Sequence, residues 1–113
     1  MFLSCSLTFQ MCLKCADLSA LTFSPQVHRQ WAARLGEEFF RLGDRERALG
    51  LPISPLMDRS KSGIPQSQPG FFSVVAIPMF TAFSNVFPGA RPLLEGAKDN
   101  YAMWVHEVGG GQL

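Results

Sequence analysis

The side chains able to do chemistry are few, and they are spread unevenly along the sequence. A lone aspartate, Asp17, stands in Lys14-Cys15-Ala16-Asp17-Leu18-Ser19, and a glutamine stands beside a ring in Ser67-Gln68-Pro69-Gly70-Phe71. Taken alone, an aspartate at a helix end is most simply a solvated or capping group, and a glutamine ahead of an apolar helix is most simply a cap. Core packing is likewise the plain role for Phe71. The sharper chemistry is that one carboxylate gives an oxygen ligand to a cation, and a primary amide presents a donor and an acceptor to the edge of a heterocycle. A ring beside that amide covers a base without choosing among bases. The only histidines, His28 and His106, stand apart from each other, so His28 is expected on the surface of its helix and not at a metal. Cys12 and Cys15 form a C-x-x-C with no further pair of soft ligands, which favours two small packed side chains over zinc.

Those residues need elements to hold them, and the apolar spacing predicts helices. Leu3 to Asp17 reads as a helix with Leu3, Leu7, Met11 and Cys15 on one face. Ser24 and Pro25 then supply an N-cap and a first-turn proline for an amphipathic helix whose apolar stripe is Val27, Trp31, Leu35, Phe39 and Leu42, opposite Gln30, Arg34, Glu37 and Arg41. Gly43 is expected to end it near Leu42, with Asp44 capping a further short turn that stops near Gly50. Glu37 and Arg41 stand in the favourable order for a surface pair. Leu51 to Gln66, with Pro52, Pro55, Gly63 and Pro65, reads as an irregular loop of the length that often carries function. A second long helix is expected from Ser67 or Gln68, with Pro69 in its first turn and a bend at Pro78. Phe87-Pro88-Gly89 closes it, and Arg91-Pro92 opens a last helix with Leu93, Leu94, Ala97, Tyr101, Trp104, Val105 and Val108 along its stripe. Residues 109–113 are expected as a flexible tail. No alternating pattern argues for a sheet, so the class is all-α.

Composition narrows the partners. Ten basic against nine acidic residues leave no field to hold nucleic acid. At 113 residues and 47% hydrophobic, the chain has room for one domain with a core. Three cysteines crowded at one end do not suit a disulfide framework, and a reducing, cytoplasmic setting is expected. Met1 to Leu13 is apolar but lacks the basic start of a secretory signal. Residues 62–90 carry no charge and are long enough to cross a bilayer, yet their prolines and amides are awkward in lipid. A helix buried on all sides in a larger helical bundle is expected instead of a membrane span.

Taken together, Glu37-Glu38-Phe39-Phe40, Gly43-Asp44-Arg45-Glu46, Pro52-Ile53-Ser54-Pro55 with Asp58-Arg59 after it, and then Gln68 and Gly70-Phe71 resemble the class I 3′,5′-cyclic-nucleotide phosphodiesterases. The resemblance runs from about Leu7 to Val108 and corresponds to the C-terminal part of that family's catalytic domain. It implies the C-terminal helical portion of a helical bundle, with residues 1–113 a partial catalytic domain. It implies Asp17 as one ligand of the catalytic metal, Gln68 as the reader of the purine edge, Phe71 as the stacking ring, Leu35 as the aliphatic cover of the other face and Leu56 as a further lining residue. Ala20 and Pro69 depart from the family pattern, which bears on base preference and on the aim of the amide.

The implied activity is hydrolysis of cAMP or cGMP to the 5′-monophosphate in cyclic-nucleotide signalling. The family performs it with two divalent metal ions, commonly zinc and magnesium, and with a histidine of a His-Asn-x-x-His motif as proton donor. Neither that motif nor a His-Asp pair occurs in this sequence, so the resemblance implies no catalytic residue here, poor retention of the metals and dependence on an N-terminal half of the domain. The alternative is a non-catalytic helical interaction protein that keeps the scaffold.

Overall fold

Prolines and close-approach glycines divide the chain into five α-helices in the computed structural model, which describes residues 5–110. They are α1 (Cys5–Asp17), α2 (Pro25–Ala48), α3 (Ile64–Phe71), α4 (Ile77–Val86) and α5 (Arg91–Gly110), with short 3-10 turns at Ser19–Thr22 and Pro88–Ala90. No strand occurs among the described residues, and the fold is all-α. The expected place of Leu3 on the first helix, and residues 111–113 of the expected tail, lie outside the described residues; Gly109 and Gly110 are the last turn of α5.

α2 begins as expected, with Ser24 at the cap position and Pro25 in the first turn, although the Ser24 side chain makes no capping bond. It does not stop at Gly43. The helix runs on through Asp44 to Ala48, a span of about 36 Å at the usual rise per residue. Gly43 serves a different purpose, because a Cβ built there would lie 1.8 Å from the carbonyl oxygen of Met57. The missing side chain lets the loop backbone lie directly on the helix. The C-terminal glycine of α2 is instead Gly50, which has φ +72 and follows the capping residue Leu49.

α3 and α4 also differ from the single bent helix expected. α3 opens at Ile64, with Pro65 in its first turn and Pro69 inside it, so the helix starts earlier than Ser67 and Gln68 is not a cap. Between α3 and α4 the residues Phe72–Ala76 form a π turn, closed by the Ile77 N–H on the Phe72 carbonyl and lying just ahead of Pro78. The buried residues along the two helices are Ile64, Gln68, Phe72, Ala76 and Phe80, one every fourth position. Such a stripe drifts by about 40° per step around a regular α-helix, and a wider turn swings it back. The π turn thus keeps one face of the pair aimed at the core. The other faces are not covered: over the apolar window of Ile64–Val86 only 17% is buried, against the expectation of burial on all sides. By length and composition this segment passes for a membrane span; no charge in it argues either way.

The core joins Phe72, Ala76 and Phe80 to Cys15 of α1 and to Leu94, Ala97 and Trp104 of α5. The α5 stripe is met only in part, since Val105 is 44% exposed while Asn100 is fully buried. Asn100 Nδ2 donates to the carbonyls of Leu21 and Phe23, each at 2.8 Å, and fastens the segment between α1 and α2 to α5. Gly96, one turn earlier, leaves room for the Thr22 carbonyl, which a Cβ would meet at 2.2 Å. The molecule is a slab of 51 × 36 × 21 Å with a radius of gyration of 16.4 Å, where a rounded domain of this length has about 13 Å.

His28, expected at the surface, is only 2% exposed. Its Nδ1 lies 2.9 Å from the Ala20 carbonyl oxygen, and Trp104 Nε1–H donates to its Nε2 at 2.8 Å. A carbonyl only accepts and an indole N–H only donates, so the ring is neutral with its proton on Nδ1. Burial pushes its pKa below the ordinary histidine value, the Ala20 carbonyl opposes that shift, and the charge on Arg29 adds to it.

Two outcomes follow. Gly43→Ala should destabilise the fold by about 1–3 kcal/mol in urea unfolding, because Met57 backbone must move, whereas Gly70→Ala, with nothing within 4 Å, should be neutral or stabilising by up to about 1 kcal/mol. Because His28 takes up a proton more readily unfolded than folded, stability should be complete above about pH 6.5 and fall as the pH drops below it. The thermal midpoint measured between about pH 7.5 and pH 5 should show that slope, and His28→Gln should flatten it.

Candidate functional site

A cleft of about 550 Å³ opens between α2, the loop 51–63, α3 and the segment after α1. Leu35 of α2, Leu56 of the loop, and Gln68 and Phe71 of α3 all line it, so four of the five expected site residues share one cleft. α3 accounts for two of them, since residues three apart fall on the same side of a helix. The remaining lining is nearly all apolar and includes Leu18, Leu21, Trp31, Phe39 and Ile64. Trp31 and Phe39 lie one turn either side of Leu35, and that spacing already marked them as its companions.

Polar groups in the cleft are Ser67, His28 and Gln68. Ser67 Oγ donates to the Ile64 carbonyl at 2.9 Å, and both nitrogens of His28 are committed to Ala20 and Trp104. Gln68 differs from both. It is 8% exposed, and among the described residues its amide takes no hydrogen-bond partner. Its amide nitrogen and oxygen still reach the cleft, since the side-chain polar atom sealed from solvent without a partner among the described residues is Asn100 Oδ1.

The Leu56 wall is built by a turn. Met57 N–H bonds the Ser54 carbonyl at 3.1 Å, Pro55 precedes Leu56, and Leu56 has φ +69, which is the pattern of a type II turn. The left-handed position normally takes glycine, so Leu56 sits there against a cost of about 1 kcal/mol or more. α2 pins the turn on both flanks. At its start the Glu46 carboxylate accepts from Ser54 N at 3.0 Å and Ser54 Oγ at 2.9 Å. Past its end, Arg47 donates to Asp58 at 3.0 Å, and Arg59 donates to Glu37 at 3.1 and 3.2 Å and to Asp44 at 2.9 and 3.3 Å. Hydrogen bonds from Arg59 first, and then from Arg41, hold the Glu37 carboxyl below its usual range. Asp58 is likewise lowered, chiefly by the Ser60 hydroxyl and backbone N–H.

Asp17 stands apart from this lining. It is exposed at the last position of α1, and it is the following residue, Leu18, that lines the cleft. Among the described residues no three histidine, cysteine, aspartate or glutamate side chains come together. One exposed carboxylate does not make a two-metal centre, so the donors of this chain do not fit such a pair by themselves. Cys15 packs in the core, where burial raises its thiol pKa, while Cys5 and Cys12 are exposed.

Comparison with known proteins points to one family. A sequence profile described as 3′5′-cyclic nucleotide phosphodiesterase matches residues 3–97. The 3′,5′-cyclic-AMP phosphodiesterase 4C of Rattus norvegicus is 40% identical over 92 residues, covering 80% of this chain and 17% of that protein. The dual specificity calcium/calmodulin-dependent 3′,5′-cyclic nucleotide phosphodiesterase 1B of Bos taurus is 43% identical over 81 residues, covering 72% of this chain and 15% of that protein. The solved structure of LmjPDEB1 in complex with IBMX superposes with a TM-score of 0.84 at 32% identity, covering 92% of this chain and 32% of that one. The chain therefore spans less than a fifth of those curated relatives and about a third of that structure. With the family profile matched over most of its length and its helices laid out as in a solved member, the chain belongs to the 3′5′-cyclic nucleotide phosphodiesterase family.

Proposed function

We propose that the cleft is the base-binding wall of a cyclic-nucleotide phosphodiesterase, whose complete domain hydrolyses cAMP and/or cGMP to the 5′-monophosphate in cyclic-nucleotide signalling. The observation that carries this reading is the Gln68 amide: without a protein partner among the described residues, open to the cleft, and set in a mostly apolar slot beside Phe71. A purine brings both a hydrogen-bonding edge for that amide and two flat faces for the ring and the aliphatic walls. Phe71 covers one face, Leu35 lies against the other, and Leu56 closes the side. The cleft volume falls in the range of small-molecule sites. Ala20 lines the cleft with a methyl group and so offers no side-chain hydrogen bond to favour one base. Base preference is then left to the amide, which presents either its donor or its acceptor.

The phosphodiester end is a separate matter. Asp17 would give one oxygen ligand to a divalent ion, zinc or magnesium, and such ions supply the activated water and the charge neutralisation when bound. The other donors have to come from the rest of a complete family domain. A second reading, a non-catalytic helical interaction protein on the same scaffold, is favoured by the open apolar faces along Ile64–Val86, where Val74 of the π turn is 74% exposed.

Titration of the chain with cAMP, cGMP and IBMX, followed by tryptophan fluorescence because Trp31 lines the cleft, separates the two. Binding is expected, with Gln68→Ala weakening it about tenfold and Phe71→Ala weakening it by about 1–3 kcal/mol. Affinity that survives both substitutions would remove the base-binding reading and leave the interaction protein. With zinc and magnesium added, the chain by itself should form no 5′-monophosphate above a protein-free blank. Turnover would show that its own donors suffice.

A further inference from the structure

The wall that Leu56 contributes is placed by charges that never enter the cleft. Leu56 occupies a left-handed backbone position that it would leave if its surroundings let it, so the turn has to be held in place. Arg59 is built to hold it. Glu37 and Asp44 stand two turns apart on one face of α2, and the guanidinium spans them with one fork on each carboxylate while its carbon lies 5.3 Å from the centroid of the Phe40 ring between them. A planar fork fixed at two points and laid on a ring determines orientation as well as distance. The backbone of Met57, two residues before Arg59, is seated against Gly43 on the same helix.

We propose that Arg59 is a positioning residue for the cleft: by clamping the strained Leu56 turn to α2 it sets how far Leu56 stands from Leu35 and Phe71. The proposal rests on the base-binding reading for its consequence, though not for its geometry. Its consequence is unusual for an apolar site. Arg59, Glu37 and Asp44 are each close to half exposed, with side-chain exposures of 45%, 46% and 51%, so salt screens the clamp. An uncharged ligand that only buries apolar surface binds no more weakly in salt. Here its affinity falls as the ionic strength rises.

The test uses the full chain, with Arg59→Ala, Arg59→Lys and, as a control, Arg41→Ala, which removes the Glu37–Arg41 pair without touching the loop. The first readout needs no ligand. The Leu56 methyl resonances should move in the same direction on Arg59→Ala and on raising KCl, with Arg59→Lys between, while those of Leu18 and Leu21, in the same cleft but away from the loop, stay put. The second is the affinity for IBMX, an uncharged heterocycle. It should weaken about 3- to 10-fold in Arg59→Ala and lose its salt dependence there, with Arg41→Ala close to the parent. Leu56 methyls that ignore both Arg59→Ala and salt overturn the clamp. A chain that binds no IBMX defeats the base-binding reading, and the methyl resonances then still decide whether Arg59 holds the turn.

Discussion

One neutral imidazole holds together the three segments that matter most. His28 accepts from Trp104 on α5 and donates to the Ala20 carbonyl just past α1, while its own backbone belongs to α2. Its ring also meets Phe72 edge-on at 5.6 Å and Trp104 at 5.8 Å, so the polar link lies inside the aromatic core. Each nitrogen can play only one part, because the groups it faces are a pure acceptor and a pure donor. The fold therefore depends on one tautomer, and the cleft depends on the fold at the same point. His28 and Ala20 line the cleft that α2, α3 and the post-α1 segment enclose.

That link explains an inversion in α2. The apolar stripe of Trp31, Leu35 and Leu42, which amphipathic reasoning assigns to the interior, is 42–49% exposed in this chain. The side of α2 that packs inward runs through His28, Ala32, Gly36 and Gly43, a line of mostly small residues that permits close approach: Ile64 stands 3.9 Å from where a Gly36 Cβ would be, and the Met57 carbonyl fills the place of the Gly43 side chain. Large apolar side chains are then free to form a surface. Trp31 and Leu35 line the cleft, where the flat ligand proposed above would supply the burial that the protein does not.

The same contrast shows what the sequence made legible. Helical class, the cap at Ser24, the breaks at Pro88 and Pro92, and the Glu37–Arg41 pair, found at 3.3 Å, all rest on local rules of spacing and backbone geometry. The motif residues were legible for another reason, because their order and intervals match a family, and four of them meet in one cleft. What escaped were partners far along the chain. His28 is buried by a bond to a residue 76 positions away, and Asn100 by bonds 79 and 77 positions away, and no periodicity announces either. Gly43 was misread because a glycine inside a helix has two uses, stopping it or admitting a backbone, and only the position of Met57 decides between them. At α3 two prolines compete for the start, and Pro65 wins because the first turn has no use for its missing N–H, which leaves Pro69 inside the helix.

The proposed division, with base recognition in this segment and phosphodiester chemistry elsewhere, has a physical logic. A base is gripped by shape, by apolar faces and by one amide edge, all of which helices joined by a short loop can hold through packing. A pair of divalent ions needs several ionised or neutral donors converging on one point, and most carboxylates of this slab are already committed elsewhere: Glu37, Asp44 and Asp58 hold the loop, Glu46 holds Ser54, and Glu107 holds Arg29 at 2.8 Å. Asp17, at the end of α1, lies outside that network, as do Glu38 on α2 and Asp99 on α5; none of the three side chains has an ion pair or hydrogen bond among the described residues. Of these three, Asp17 is the one next to Leu18, where the lining of the cleft begins.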